Sequence, residues 1–160
     1  MRIMGRYTYI LKDKNGKIKS QGILHNAIVD EGKNHILDVE FHAVTQVDPW
    51  YIGLIDSASY TGLSASDTMA SHAGWIECIA YSEGTREAWL EAAARGKSIG
   101  TATPAEFSIN DTKTIKGVFV CSDNAKSGTD GVLWSTALFA VAQNVENGDT
   151  LTVTYEVIIS

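Results

Sequence analysis

This chain is short of basic residues, of cysteine and of long apolar runs, and each shortage narrows what it can be. Its 13 Lys and Arg stand against 19 Asp and Glu, a net charge of −6. General nucleic-acid binding needs clustered cations to neutralise phosphates, so this balance argues against it. Lysines do gather at Lys12, Lys14, Lys17 and Lys19, but the solvated face of a hairpin accounts for them equally well. No apolar run approaches the ~20 residues of a membrane-spanning helix. Residues Met1 to Arg6 lack the apolar centre of a secretory signal. The expectation is a protein made or assembled in a cytoplasm, with neither a membrane nor nucleic acid as partner. The two cysteines, Cys78 and Cys121, allow one disulfide at most. Both sit in strand-like apolar segments, where buried free thiols are the simpler reading. No internal repeat or low-complexity segment stands out.

What is present suits one domain. At 160 residues with 44% hydrophobic composition, the chain is long enough to bury a core without staples. The clearest helix signal runs from Ile28 to Phe41, a helix near residues 31–42. Asp30 is a good N-cap, Glu31 suits the helix dipole, and Ile36, Leu37 and Phe41 fall on one side, with Val44 extending the stripe. Gly32 weakens the first turn. So short a helix must lay its apolar stripe on a sheet.

The rest reads as strands. Arg6 to Lys12 and Ile18 to Leu24 flank Asn15-Gly16, a hairpin signal in which both central positions accept positive φ. Residues His25 to Val29 read as a short strand or an extended lead-in to the helix. Trp50 to Ile55 is apolar on both faces, as a central strand should be, and Gly53 within it suggests a close backbone approach. Ser57 to Ser66 reads as loop, Asp67 to Ser71 as one helical turn, and Trp75 to Tyr81 as a strand. Glu83 to Gly96 is ambiguous. Its propensity favours helix, yet a strand at Arg86 to Leu90 would pair with Trp75 to Tyr81, and strand or turn is the reading taken. Lys97 to Thr103 reads as loop. Glu106 to Asn110, Thr114 to Ser122, Val132 to Val141 and Thr150 to Ile159 are strands, with a long polar loop at Asp123 to Gly131. About nine closely spaced strands suggest an all-β antiparallel sandwich, jelly-roll-like or immunoglobulin-like, with one short helix.

Reactive constellations are weak. His35, Asp38 and His42 could share a helix face and hold zinc, but a solvated face explains them as well. Ser71 beside His72 lacks the context of a nucleophile elbow. Glu77 with Glu83, or Asp48 with Asp56, could be a glycosidase pair only at the right separation. Gly128 and Gly131 lack the Lys-Ser/Thr of a phosphate loop. Trp50, Trp75 and Trp134 lie in apolar runs and read as core, whereas Trp89, among charged residues, is the best exposed candidate for a sugar platform, with a partly buried strand residue the favoured reading. No catalytic, cofactor-binding or metal residue is assigned. A sandwich with open strand edges also suits assembly on another protein.

Several blocks then resemble a known family. They are Asn26 to Gly32 with Asn34 to Asp38, Trp50 to Ile55, Asp67 to Trp75, Tyr81-Ser82-Glu83 with Thr85-Arg86, Ala105 to Val120, and Asn147 to Tyr155. Together they span most of the chain and resemble small structural proteins of tailed bacteriophages, the head decoration (cement) proteins. The pattern departs at Glu87 to Arg95, where family members tend to carry a Pro or Thr-rich strand. The resemblance implies a jelly-roll-like sandwich without catalysis or cofactor. It also implies a dimer or trimer on the outer surface of a virion, with the major capsid protein as partner, assembled in a bacterial cytoplasm. Similar β-rich modules occur in tails and fibres, where carbohydrate binding is the alternative. The polar or terminal segments Met1 to Arg6, Ser57 to Ser66 and Asp123 to Gly131 are the expected contact regions, being least needed for a core.

Overall fold

The computed structural model describes residues 2–160. Eleven strands and one helix follow in the order β1 (Ile3–Lys12), β2 (Ile18–His25), β3 (Ala27–Ile28), α1 (Asp30–Phe41), β4 (Trp50–Asp56), β5 (Glu77–Cys78), β6 (Glu87–Glu91), β7 (Ser98–Thr103), β8 (Ala105–Ser108), β9 (Lys113–Cys121), β10 (Leu133–Val145) and β11 (Thr150–Ile159). All pairings between these strands are antiparallel. The path β2-β1-β11-β7-β6-β4-β9-β10-β3 is continuous, with β5 on β4 and β8 on β11. Because β2 also lies against β10, the sheet folds over on itself into a sandwich that nearly closes as a barrel.

Alternation builds the main core. Tyr7 and Leu11 of β1, Leu151, Val153 and Tyr155 of β11, and Phe107 of β8 are fully buried, as are Ile52 and Leu54 of β4. The buried face of β4 is not single. Ile52 and Leu54 join the main cluster, while Ile55, with Tyr51 packed beside it, belongs to a second cluster with Val29, Met69, Trp75, Phe119, Cys121 and Leu133. This is the two-sided burial its apolar run predicts. Gly53 is required there, because a Cβ would run into the Phe119 ring.

Several local expectations need correction. Val29, not Asp30, caps α1, and it makes no side-chain cap bond; the Asp30 carboxylate instead takes a bond from Lys33 Nζ at 2.9 Å. Apart from Ile36, the stripe expected to lie inward lies outward: Leu37 is 53% exposed, Phe41 80% and Val44 40%. The helix docks through Gly32, whose missing side chain lets it sit against Trp134, and through Ile36. A Cβ at Gly32 would lie 2.6 Å from the Trp134 carbonyl oxygen. The weakest helix former in the segment thus makes the closest contact.

At the first hairpin only Gly16 takes positive φ (81°), and Asp13 closes the turn by accepting from the Asn15 and Lys17 amides. Asp67 to Ser71 is an isolated bridge between Thr68 and Ser71, not a helical turn. Of Trp75 to Tyr81 only β5 is strand, and it pairs with β4. The ambiguous segment is strand β6, but its partners are β4 and β7. Residues expected to be loop form β7. Its Ser-Ile-Gly-Thr-Ala-Thr sequence carries little apolar signal, and its register comes from backbone bonding to β11 and β6. The two thiols are free and buried. Cys78 flanks β4 opposite Leu54, and Cys121 flanks its other edge opposite Tyr51.

Candidate functional site

The pocket with the most aromatic wall is built from elements distant in sequence. Trp50 of β4 and Trp89 of β6 are directly opposed across the ladder, as are Ile99 of β7 and Val157 of β11. Trp134 of β10 lies 5.8 Å from Trp50, ring centre to ring centre, and His35 of α1 meets Trp50 edge-on at 5.4 Å. Ile36, Val39 and Glu40 of α1, the segment Gln46 to Asp48, and Glu91 of β6 complete a cavity of about 370 Å³. That is within the size range of small-ligand sites.

The floor is fixed by hydrogen bonds beneath it. Trp134 Nε1 donates to the Tyr155 hydroxyl at 2.8 Å, and Trp89 Nε1 donates to Thr101 Oγ1 at 2.9 Å and to the Tyr155 carbonyl at 3.2 Å. Asn26 Nδ2 also donates to the Tyr155 hydroxyl, at 2.9 Å. Tyr7 stacks on Tyr155 at 4.3 Å, and its hydroxyl bonds Ser135 Oγ at 2.7 Å. Burial pushes the Tyr155 phenol up to about 12 and raises Tyr7 as well. Both therefore stay neutral and act as struts. With two indole N–H groups bonded within the protein, those rings have mainly their carbon surface left to offer a ligand.

Trp89 is only 6% exposed, a buried strand residue rather than an exposed platform. It is a wall of the pocket. Trp50 and Trp134 line the same cavity, while Trp75 lies in the second cluster.

The other candidates disperse. Among the described residues no group of three or more His, Cys, Asp or Glu is arranged to hold a metal ion, so His35, Asp38 and His42 do not form one. His72 stacks on Trp75 at 3.9 Å and its Nδ1–H donates to the Trp75 carbonyl at 3.0 Å, and among the described residues no hydrogen bond joins its side chain to Ser71. Asp48 and Asp56 flank β4 at opposite ends, and seven residues of strand span about 20 Å. Carboxylate pairs that cleave glycosides stand within ~10 Å. Glu83 accepts from the Ser108 amide at 3.1 Å. Glu77 is committed to Arg86, which donates to its two oxygens at 2.9 and 2.8 Å. Gly128 offers its carbonyl to Arg86 Nη2 at 2.9 Å, and Gly131 holds φ of 87°.

No family model matches the chain. No curated protein matches it either.

Arg86 is what the sequence reading missed. It is 1% exposed, and besides Glu77 and Gly128 it donates to the Asp123 carbonyl at 2.8 Å and to Cys121 Sγ at 3.3 Å. Its guanidinium lies 5.3 Å from the Phe119 ring centre. Burial pulls its pKa down, but the Glu77 bond and neighbouring acidic groups outweigh that and the net shift is upward. An isolated Arg ahead of an apolar strand gave no warning of this.

Two of the expected contact segments are also structural. Ser64 and Asp67 bond each other, Asp67 Oδ2 accepts from Trp75 Nε1 at 3.0 Å, and Tyr60 and Leu63 pack on the second cluster. Asp123 to Gly131 supplies carbonyls to Arg86. At the N-terminus, Met1 lies outside the described residues, and Ile3 to Arg6 is paired with β11. The reason for choosing these segments, that the core does not need them, does not hold.

Proposed function

We propose that this chain is a non-enzymatic virion structural protein that binds the outer surface of a bacteriophage capsid and stabilises it, with the major capsid protein as partner. The observation that carries this reading is the outward apolar face of α1. Leu37, Phe41 and Val44 are all exposed, and they adjoin a helix whose other residues wall the aromatic pocket. Leu37 and Phe41, one turn apart on α1, and Val44 just beyond its end are exposed apolar side chains of the kind a surface that meets another protein carries. A contact of ~800 Å² per partner is enough for stable association. As a dimer or trimer the protein would gain avidity from the repeating shell. The resemblance across most of the sequence supports the same reading.

The test is sedimentation of purified virions with quantitative mass spectrometry of this protein. Copies in the hundreds per particle fit the head, and a handful would reject it. The second reading, a tail- or fibre-associated module that binds carbohydrate, is favoured by the three tryptophans of the pocket. It predicts few copies and saturable binding of neutral glycans.

A further inference from the structure

We infer that the pocket between α1 and the Trp50/Trp89 strand pair receives a cationic side chain, a guanidinium or ammonium on an apolar stem, from a partner protein laid along the outward face of α1. This rests on the decoration reading above and names the chemistry of its contact. Three carboxylates, Glu40, Asp48 and Glu91, line the cavity together with Trp50, Trp89 and Trp134, and no Lys or Arg does. Among the described residues none of these carboxylates forms an ion pair or accepts a side-chain hydrogen bond.

A π face attracts a cation through its quadrupole, and a carboxylate at the rim adds direct Coulomb attraction. The protein uses the first pairing elsewhere: Lys126 Nζ sits 3.8 Å from the Tyr81 ring centre and Arg86 lies beside Phe119. In the pocket the aromatic and acidic parts are present and the cation is not supplied by the pocket's own lining. Ile36, Val39, Ile99 and Val157 would pack against the methylene stem.

Charge extends the argument to the partner. On helix α1 Asp30 is paired with Lys33 and Glu31 accepts from the Met69 and Leu133 amides, which leaves, among the described residues, Asp38 and Glu40 as its free carboxylates. A partner segment bearing Lys or Arg with apolar neighbours matches both the acidic rim and Leu37, Phe41 and Val44. A neutral sugar would match the tryptophans but gain nothing from the charge of the three exposed carboxylates.

The experiment titrates the full-length protein with N-acetyl-arginine amide, with N-acetyl-glutamine amide as the uncharged control and with maltose, following tryptophan fluorescence. Arginine amide should bind saturably, more tightly than the glutamine control, and more weakly as NaCl is raised. Glu91→Gln should weaken it by up to about fivefold, the upper range for a solvent-exposed ion pair. Asp130→Asn, in the 123–131 loop and outside the pocket lining, should leave it unchanged. Salt-insensitive maltose binding without arginine binding would overturn the inference, as would no binding of any probe. Concentration-dependent self-association abolished by Glu91→Gln would also overturn it, because the occupant would then be a second copy. Virion copy number is read separately with wild type and Glu40→Gln/Glu91→Gln. Equal occupancy of heads by both would discard this inference and keep the decoration reading. Absence of the wild type from heads would discard that reading whatever the pocket binds.

Discussion

The two sides of strand β4 are stabilised in different ways. On one side Ile52 and Leu54 enter a core made of strand residues alternating in and out, where β1, β8, β9, β10 and β11 supply most of the buried apolar residues. On the other, Ile55 and Tyr51 face a smaller cluster covered by irregular chain from residues 57–76 and 123–131. The 57–76 part of that cover adds Met69, Trp75, Tyr60 and Leu63 to the cluster, and Arg86 ties the 123–131 part down through acceptors on Glu77, Asp123 and Gly128. The first side spreads its stability over many replaceable contacts. The second adds to its smaller cluster one buried cation, whose partners come from β5 and from the 123–131 loop.

The sharpest way to break the comparison is to remove that cation. Arg86→Met keeps the stem but leaves the Glu77 carboxylate, 5% exposed, without its counter-charge. Loss of one member of a buried ion pair costs ~3–5 kcal/mol, and urea unfolding should read it. The Arg86→Met/Glu77→Gln double variant should recover part of the loss, since no uncompensated charge remains. On the main-core side Ile52→Val should cost only ~0.5–1.5 kcal/mol. Equal losses on the two sides would remove the distinction.

The next effect is at the helix contact. Gly32→Ala improves helix propensity by ~1 kcal/mol, yet its Cβ would press on the Trp134 carbonyl, where overpacking costs ~1–3 kcal/mol. A net loss is expected. Net stabilisation would mean that α1 can shift away from β10, and that the pocket wall is loose.

The same division explains what the sequence made legible. Regular alternation marked β1, β9, β10 and β11, and the two-faced apolar run marked β4, because burial acts on each residue through strand geometry alone. The helix position was legible from Asp30 to Phe41, but its orientation was not. A periodic stripe at Ile36, Leu37 and Phe41 says which residues share a face, and the docking was decided by the absence of a side chain at Gly32. Strand β7 was hidden because Ser98, Thr101 and Thr103 carry no burial signal. The pocket was hidden for a different reason: Trp50, Trp89 and Trp134 converge only through cross-strand register, which no local pattern encodes. Each tryptophan read alone is merely core or surface.

A smaller effect concerns how the two sides open. Cys78 belongs to the main cluster and Cys121 to the covered one. Burial raises both thiols, Cys121 to about 11, so at pH 8 thiolate is scarce and native labelling by a disulfide reagent should be slow at both. If the loop cover opens as a unit of its own, low urea should label Cys121 before Cys78. Site-resolved mass spectrometry reads the order, and identical rates at every urea concentration would make the protein one cooperative unit.

The smallest effect uses two consecutive residues. Arg86 has a full set of partners, whereas Glu87 is raised from the carboxylate value of 4.5 by partial burial first, then by Glu83 and Glu106, with Lys126 opposing. A raised acid holds its proton more tightly folded than unfolded, so between the two pKa values the native state binds more protons and stability falls as pH rises. The cost is absent below 4.5 and fully present once pH exceeds the folded value. Glu87→Gln should therefore be slightly more stable than wild type at pH 7 and indistinguishable from it in this respect below pH 4.5. Added salt should shrink the part due to Glu83 and Glu106 and leave the part due to burial. A Gln variant less stable at pH 7 would mean that Glu87 has a favourable partner, and that the neighbouring charges on either side of the Arg86 peptide are alike in being compensated.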